Sequence, residues 1–355
     1  MDRNLDIIGL MSGSSLDGVD IAHCSFWPED GQYKYRINRA VTYPYPENWL
    51  KTLIQAPNLS GQQLIELDRN YGHYLGSLVN RFIQDSGIKS DYVASHGHTV
   101  FHQPDKRYTF QMGHGASIAV ETGLTVISDF RSNDVALGGQ GAPLVPIGDQ
   151  LLFPEYEFCL NMGGFSNISY KEGDSTIAYD ICPVNTAINT LSGFLGMPFD
   201  RDGEIAQSGK IDVSLFDRLN KLRFYHINPP KSLSKEWLNN YFIPSLELHP
   251  ISVPNKLRTV SEHIAYQMGK ALAHLPAGKI LVTGGGAFNK FLMELIAEKV
   301  HHELIIPEQE LVNHKEAMIF AFLGYLRLHE AINCLSSVTG SQMNNIGGSV
   351  YLGRI

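Results

Sequence analysis

Residues 13–18 read GSSLDG and lie between two apolar runs, LDIIGLM and VDIAHCSF. Glycines and small hydroxyls between strand-like runs mark a backbone that must come close to something, and that something is often a phosphate. The glycine spacing is that of a P-loop, but Val19 and Asp20 stand where Lys-Ser/Thr should follow, so a Walker A reading is rejected. The stretch Gly13, Ser14, Ser15, Leu16, Asp17, Gly18 can still offer backbone N–H groups to phosphoryl oxygens, together with the hydroxyls of Ser12, Ser14 and Ser15. Asp17 or Asp20 could help hold a hydrated Mg²⁺. A plain tight hairpin explains this stretch alone equally well.

Two further glycine turns keep it company. In residues 157–170, EFCLNM-GGFSN-ISY repeats the pattern of strand, small-residue turn and strand, with Gly163 and Gly164 at the turn. Gly284, Gly285 and Gly286 follow the apolar KILVT and precede an apolar helix pattern at Phe291, Leu292, Leu295 and Ile296. Bare backbone there would let a nucleotide lie close, although a tight strand–helix turn needs the same residues.

The remaining candidates are titratable. SHGHTVFH places His96 and His98 two apart, on one face of an expected strand. Such a pair can ligate a metal, but no third ligand of suitable spacing is evident, and hydrogen-bonding histidines are the better expectation. DFRSND packs Asp129, Arg131 and Asp134 at the end of an apolar run, where an Arg suits a carboxylate by forked pairing. Asp180, at the expected end of the strand TIAYD, is either a turn residue or a general base. Glu316 is either a first-turn helix acid stabilised by the dipole or an acid facing a ligand.

These residues need elements to hold them. Apolar positions at helical spacing (Leu64, Leu67, Tyr71, Leu75, Leu78, Phe82) predict a helix over 61–87, and further helices are expected at 258–275 and 313–330. VASHG and LTVISDF read as buried strands ending in polar residues, the edge at which open α/β sheets bind ligands. The two hairpins each open about half of the chain, which suggests two similar lobes, the first over 1–140 and the second over 141–355. The C-terminal segment could return to the first lobe. GGQGAPLVP at 138–146 is the expected connection.

Composition bounds the partners. The chain has 355 residues, 43% hydrophobic and 18% charged, with a net charge of −8 and no Lys/Arg-rich run, which argues against nucleic acid or a membrane surface. No stretch has the length of a signal peptide's apolar core or a membrane span, and four scattered cysteines suggest neither a disulfide framework nor a zinc site. A cytoplasmic protein is expected.

Taken in order, GLMSGSSLDGVD, SHGHTVFH, TGLTVISDFRSNDVALGGQGAPLVP, NMGGFSNIS, FDRDGEIAQSG, NPPKSLSKEW, GGGAFNKFLM, KEAMIFAFLG and VTGS resemble the anhydro-N-acetylmuramic acid kinase family, over about residues 7–353. That family is part of the sugar kinase/Hsp70/actin superfamily. DFR-x-x-D-x-A-x-GGQGAPLVP with the other segments in register is the specific part.

The resemblance implies an α/β, two-lobed, duplicated actin-like (ribonuclease H-like) ATPase fold with a central cleft, in which the paired hairpins are phosphate loops. It implies a phosphotransferase that uses ATP, Mg²⁺ and water to open 1,6-anhydro-N-acetylmuramic acid and phosphorylate O6, in peptidoglycan recycling. It assigns Asp180 as the catalytic base. It places ATP at Gly13–Asp20, Gly163, Gly164 and Gly284–Gly286, and sugar at His96, Arg131, Asp134, Gln140 and Glu316. A homodimer is possible. The rivals are an idle sugar or nucleotide sensor, or a kinase acting on an ordinary hydroxyl or a carboxylate.

The chain departs from the family pattern at four points. The usual GQT is Gly97-His98-Thr99, the acidic or amide position after QIG is His114, and D-T/C-GPGN is DICPVN, without either glycine. The Thr of GTSLDG is Ser14.

Overall fold

The computed structural model describes residues 4–13 and 16–353, so Ser14 and Ser15 lie outside the described residues. In chain order the strands are β1 Leu5–Met11, β2 Val19–Glu29, β3 Gln32–Tyr43, β4 Tyr92–Ser95, β5 His98–Gln103, β6 Tyr108–Met112 and β7 Thr125–Ser128. They continue as β8 Phe158–Met162, β9 Phe165–Glu172, β10 Ser175–Pro183, β11 Lys279–Thr283, β12 Glu303–Ile305 and β13 Ser349–Tyr351.

Two compact units result. The first runs to Pro154 and resumes at His314; the second is Glu155–Asn313. The first unit's main sheet has the order β13-β7-β4-β1-β2-β3, and the second unit's has β10-β9-β8-β11-β12. In each, three antiparallel strands follow one another, and two more lie parallel to the first of them on its other side. This 3-2-1-4-5 order is ribonuclease H-like, and its presence in both halves is the duplicated actin-like fold.

Parallel neighbours need crossover connections, and helices supply them. Gly61–Ser86 leads into β4, and Val253–Leu272 leads into β11. The first begins at a capping box, in which Ser60 accepts from the Gln63 N–H and the Gln63 side chain returns to Ser60. It stops at Gly87, whose φ of 67° only glycine adopts at low cost. Leu67, Tyr71, Leu75, Leu78 and Phe82 on its inner face join the core formed with β1, β2, β4 and β7. The second unit has its own core, in which Val260, Ile264 and Met268 pack with Leu160, Ile280 and Val282.

The boundary expected after Gln140 falls inside the first unit. The segment GGQGAPLVP is tied to that unit: Gly141 N–H donates to Asp134 Oδ2 at 2.8 Å, and Gln140 N–H donates to the Thr339 carbonyl at 2.8 Å. The chain's last segment is bound there as well, because β13 pairs antiparallel with β7. The helix Gln309–Leu328 also reaches β1 through Gly9, where any side chain would run into the Ala317 carbonyl.

Candidate functional site

In the second unit the two glycine turns meet. β8 and β9 form the expected antiparallel hairpin, with Gly163 and Gly164 between Met162 and Phe165. Gly284 leaves β11 at φ 82°, and a Cβ there would lie 2.6 Å from Asn161 Oδ1 and 2.9 Å from the Gly163 nitrogen. Only glycine permits that approach. The segment after β10 docks on the same turn: the Val184 and Thr186 N–H groups donate to the Gly164 carbonyl, at 2.9 and 3.2 Å, and Asn185 N–H donates to the Gly163 carbonyl at 3.2 Å. Asn185 Nδ2 adds a bond to the Met162 carbonyl at 3.2 Å. Two glycine turns and the start of the helix Asn185–Gly193 thus converge, with Gly164 and Gly285 exposed.

Asp180 is not at a strand end, as the sequence suggested. β10 continues to Pro183, and a register shift between Asp180 and Cys182 accommodates one extra residue. Such a bulge re-aims a side chain, a feature common beside active sites. The carboxylate is half-buried, and desolvation pushes its pKa up to about 6 despite a hydrogen bond from the Leu233 N–H to Oδ2 at 2.7 Å. Oδ1 accepts no hydrogen bond among the described residues. A carboxylate with one engaged oxygen and a pKa near neutrality is suited to take a proton.

In the first unit, β4 ends at Ser95 and the chain turns at Gly97, φ 75°, before β5 begins at His98. The two histidines therefore do not share one strand face, and their spacing carries no ligand pair. His96 is buried and neutral. Its Nδ1 donates to the Gly97 carbonyl at 2.7 Å, which leaves Nε2 to accept from Arg131 Nε and Nη2 at 3.1 and 2.8 Å. Burial and the adjacent guanidinium hold its pKa well below the usual histidine range.

Arg131 is itself desolvated, with a pKa lowered to about 10 against the pull of Glu316. Glu316 lies on the third turn of Gln309–Leu328, so a first-turn dipole role is excluded. Its pKa is raised by burial above all; Lys315 and Arg131 oppose the rise, while Asp20 and Asp149 add to it. Asp20, at the start of β2, is raised as well, chiefly by desolvation and further by Asp17, although Thr42 Oγ1 donates to it at 2.5 Å.

Asp134 corrects an expectation. It is 0% exposed. Oδ1 accepts from Thr339 Oγ1 at 2.8 Å, Asn345 Nδ2 at 2.9 Å and Cys334 Sγ at 3.1 Å, while Oδ2 takes the Gly141 N–H. Those donors hold its pKa below the usual range despite burial. It has no capacity left for a sugar, and it pins the GGQG loop to the C-terminal segment. Gln140, next to it, has an exposed side chain.

Comparison with known proteins gives the family. The family model for anhydro-N-acetylmuramic acid kinase matches residues 5–353. A protein of that name from Shewanella baltica is 36% identical over 373 residues, covering 98% of this chain and 99% of its own. Another from Mannheimia succiniciproducens is 34% identical (97% and 98% covered), and one from Vibrio cholerae is 32% identical (97% of each). The chain belongs to the anhydro-N-acetylmuramic acid kinase family.

Against the family pattern, DICPVN lacks both glycines yet still reaches the Gly163–Gly164 turn, because the docking uses backbone N–H groups that any residue but proline supplies. His114 precedes the helix Gly115–Thr122 and makes no side-chain cap there; its ring packs 5.3 Å from that of Tyr351. His98, the other departure from the family pattern, is buried with its ring edge-on to Tyr71 at 6.3 Å. Sequence reasoning missed Asn161, Asn185 and the Leu233 N–H. Asn185 stood in a quoted motif, and its place just before a helical run was the available signal.

Proposed function

We propose that this family member phosphorylates 1,6-anhydro-N-acetylmuramic acid with ATP and water, yielding N-acetylmuramic acid 6-phosphate and ADP, in the recycling of peptidoglycan in the cytoplasm. The observation that carries the reading is Asp180: a carboxylate with one oxygen held, one open and a pKa of about 6. In the anhydro-sugar O6 is an ether oxygen and has no proton to lose. Water must therefore attack C1, giving its proton to Asp180, while the C1–O6 bond breaks and O6 takes the γ-phosphoryl group. The protein's other task is positioning and charge neutralisation.

In the second unit the N–H groups of Gly163, Gly164, Gly285 and Gly286 are suited to phosphoryl oxygens, as in the first unit are those of Gly13, Asp17 and Gly18; the Gly284 N–H donates to the Val312 carbonyl and the Leu16 N–H to that of Gly13. Mg²⁺ fits the first unit's chemistry. Asp20 and Asp149 raise the proton affinity of Glu316, and Asp17 raises that of Asp20, so a cation near these acids relieves repulsion. Among the described residues no three His, Cys, Asp or Glu side chains form a metal cage, which suits an ion carried largely by water and phosphate. When bound, Mg²⁺ would neutralise charge on the phosphates.

Arg131 is the cation for the sugar's lactyl carboxylate. His96 fixes two of its nitrogens and so orients the guanidinium in advance. In Arg131→Leu, KM for the anhydro-sugar rises by the equivalent of ~1.5–3 kcal/mol with KM for ATP little changed. An unaltered sugar KM in the folded variant would reassign Arg131 to structure.

The test of the reaction is isotopic. In ¹⁸O-water, with ATP and Mg²⁺, promptly quenched product should carry one ¹⁸O at C1, read by mass spectrometry. A phosphorylated product without it points to a kinase acting on an existing hydroxyl or carboxylate, and no product points to a sensor. The same assay gives a pH dependence: Asp180 accepts a proton only when ionised, so kcat should climb as pH rises through about 6 and then level. An acid limb near 4 would show that burial does not govern the base.

A further inference from the structure

The loop over Asp180 is gripped at both ends. Its segment Asn228–Ser234 passes beside β10, where Asp180 N–H donates to the Lys231 carbonyl at 3.0 Å and Leu233 N–H returns a bond to Asp180 Oδ2 at 2.7 Å. The same residue is thus held through its backbone and through its carboxylate by positions two apart.

The loop is anchored elsewhere too. Lys231 Nζ donates to the Phe224 carbonyl at 3.3 Å and sits 4.6 Å from the centre of the Phe224 ring. The Leu233 side chain packs against the second unit's core, and Ser234 Oγ accepts from the Trp237 N–H at 3.2 Å, starting the next helical turn. Phe224 and Trp237 touch, with ring centres 5.4 Å apart, so both ends of the loop lead into one aromatic cluster.

We propose that the Leu233 N–H is a positioning group for the base: it occupies Oδ2, fixes the carboxylate's rotation and presents Oδ1 to the attacking water. The proposal rests on Asp180 being the base. Three consequences follow from it. A donor on the ionised form favours ionisation, so this bond works against the burial that raises the carboxyl's proton affinity. A carboxylate held at one oxygen cannot swing both toward a bound water. The loop and the base must also move together, because each of the two bonds joins one to the other.

The variant that removes the donor is Leu233→Pro, and Leu233→Ala is its control, trimming the side chain while keeping the N–H. In Leu233→Pro the acid limb of the kcat–pH profile should move up by about 0.5–1 pH unit, the share of one donor where two or three bring a carboxyl below 2. Its plateau should fall by up to ~10²-fold, the scale of a small misplacement. Leu233→Ala should keep the wild-type limb. A folded Leu233→Pro with an unmoved limb overturns the proposal, and so does an equal shift in Leu233→Ala.

Should the proline variant fail to fold, the wild-type protein decides. With ¹⁵N-leucine labelling, the Leu233 amide should titrate with the midpoint of the kcat limb and lose that titration in Asp180→Asn. A flat Leu233 amide in the wild type overturns the proposal. Full activity in Asp180→Asn would instead fell the underlying assignment of the base, a result separable from the other two.

Discussion

In Asp180→Asn, kcat falls by ~10²–10⁴, while KM for ATP and for the anhydro-sugar stay near their wild-type values and the melting temperature is kept. Asn has almost the shape of Asp, and its Oδ1 can take the Leu233 N–H in place of the carboxylate oxygen, so the loop keeps its anchor. What it lacks is an oxygen basic enough to take a proton from water. A residue that merely shaped the strand would give the opposite result, since β10 tolerates an amide where it holds a carboxylate. The residual rate should be flat with pH, because the group that titrates near 6 is gone. Near-normal turnover in the folded variant would sink the mechanism, and Glu316 would become the next candidate.

The second large effect is on stability. Lys315 and Asp149 form an ion pair at 2.9 Å with side chains only 3% and 8% exposed, and the ammonium lies 5.9 Å from the Phe153 ring centre. Breaking a pair this deep takes the opposite charge away from a buried carboxylate, and such losses run to ~3–5 kcal/mol. Lys315→Met should therefore lower the urea midpoint strongly. Adding Asp149→Asn should recover much of the loss, because the stranded charge goes with it. A Lys315→Met variant within ~1 kcal/mol of wild type would mean that water reaches Asp149 and solvates it. Lys315 also restrains the proton affinity of Glu316, so its removal should push the Glu316 pKa higher still.

Local features were legible in the sequence. The helix expected over 61–87 forms as Gly61–Ser86, because apolar spacing is a signal carried within a few residues. The hairpin at Gly163–Gly164 and the strand before Gly284 show in the same way. Three features needed contacts distant in sequence. The bulge after Asp180 exists through pairing with β9, so TIAYD alone looked like a strand that stopped. Asp134 looked like a ligand group because its partners, Thr339 and Asn345, come from the far end of the chain. Gly97 broke the two-residue period that seemed to align His96 with His98. The Leu233 N–H could not be seen at all, since every residue but proline carries the same donor.

The return of the chain to the first unit sets an order of birth. During synthesis the second unit's residues are complete before the first unit has its last strand or its part of the helix Gln309–Leu328. Until then β7 has an unpaired edge where β13 will lie, and Phe26 lacks the Phe322 and Tyr325 rings that end 5.3 and 5.7 Å from it. Open strand edges and bare apolar surface are the features that nascent chains aggregate through. The half of the protein made first is thus the half finished last, because its sheet is completed by β13.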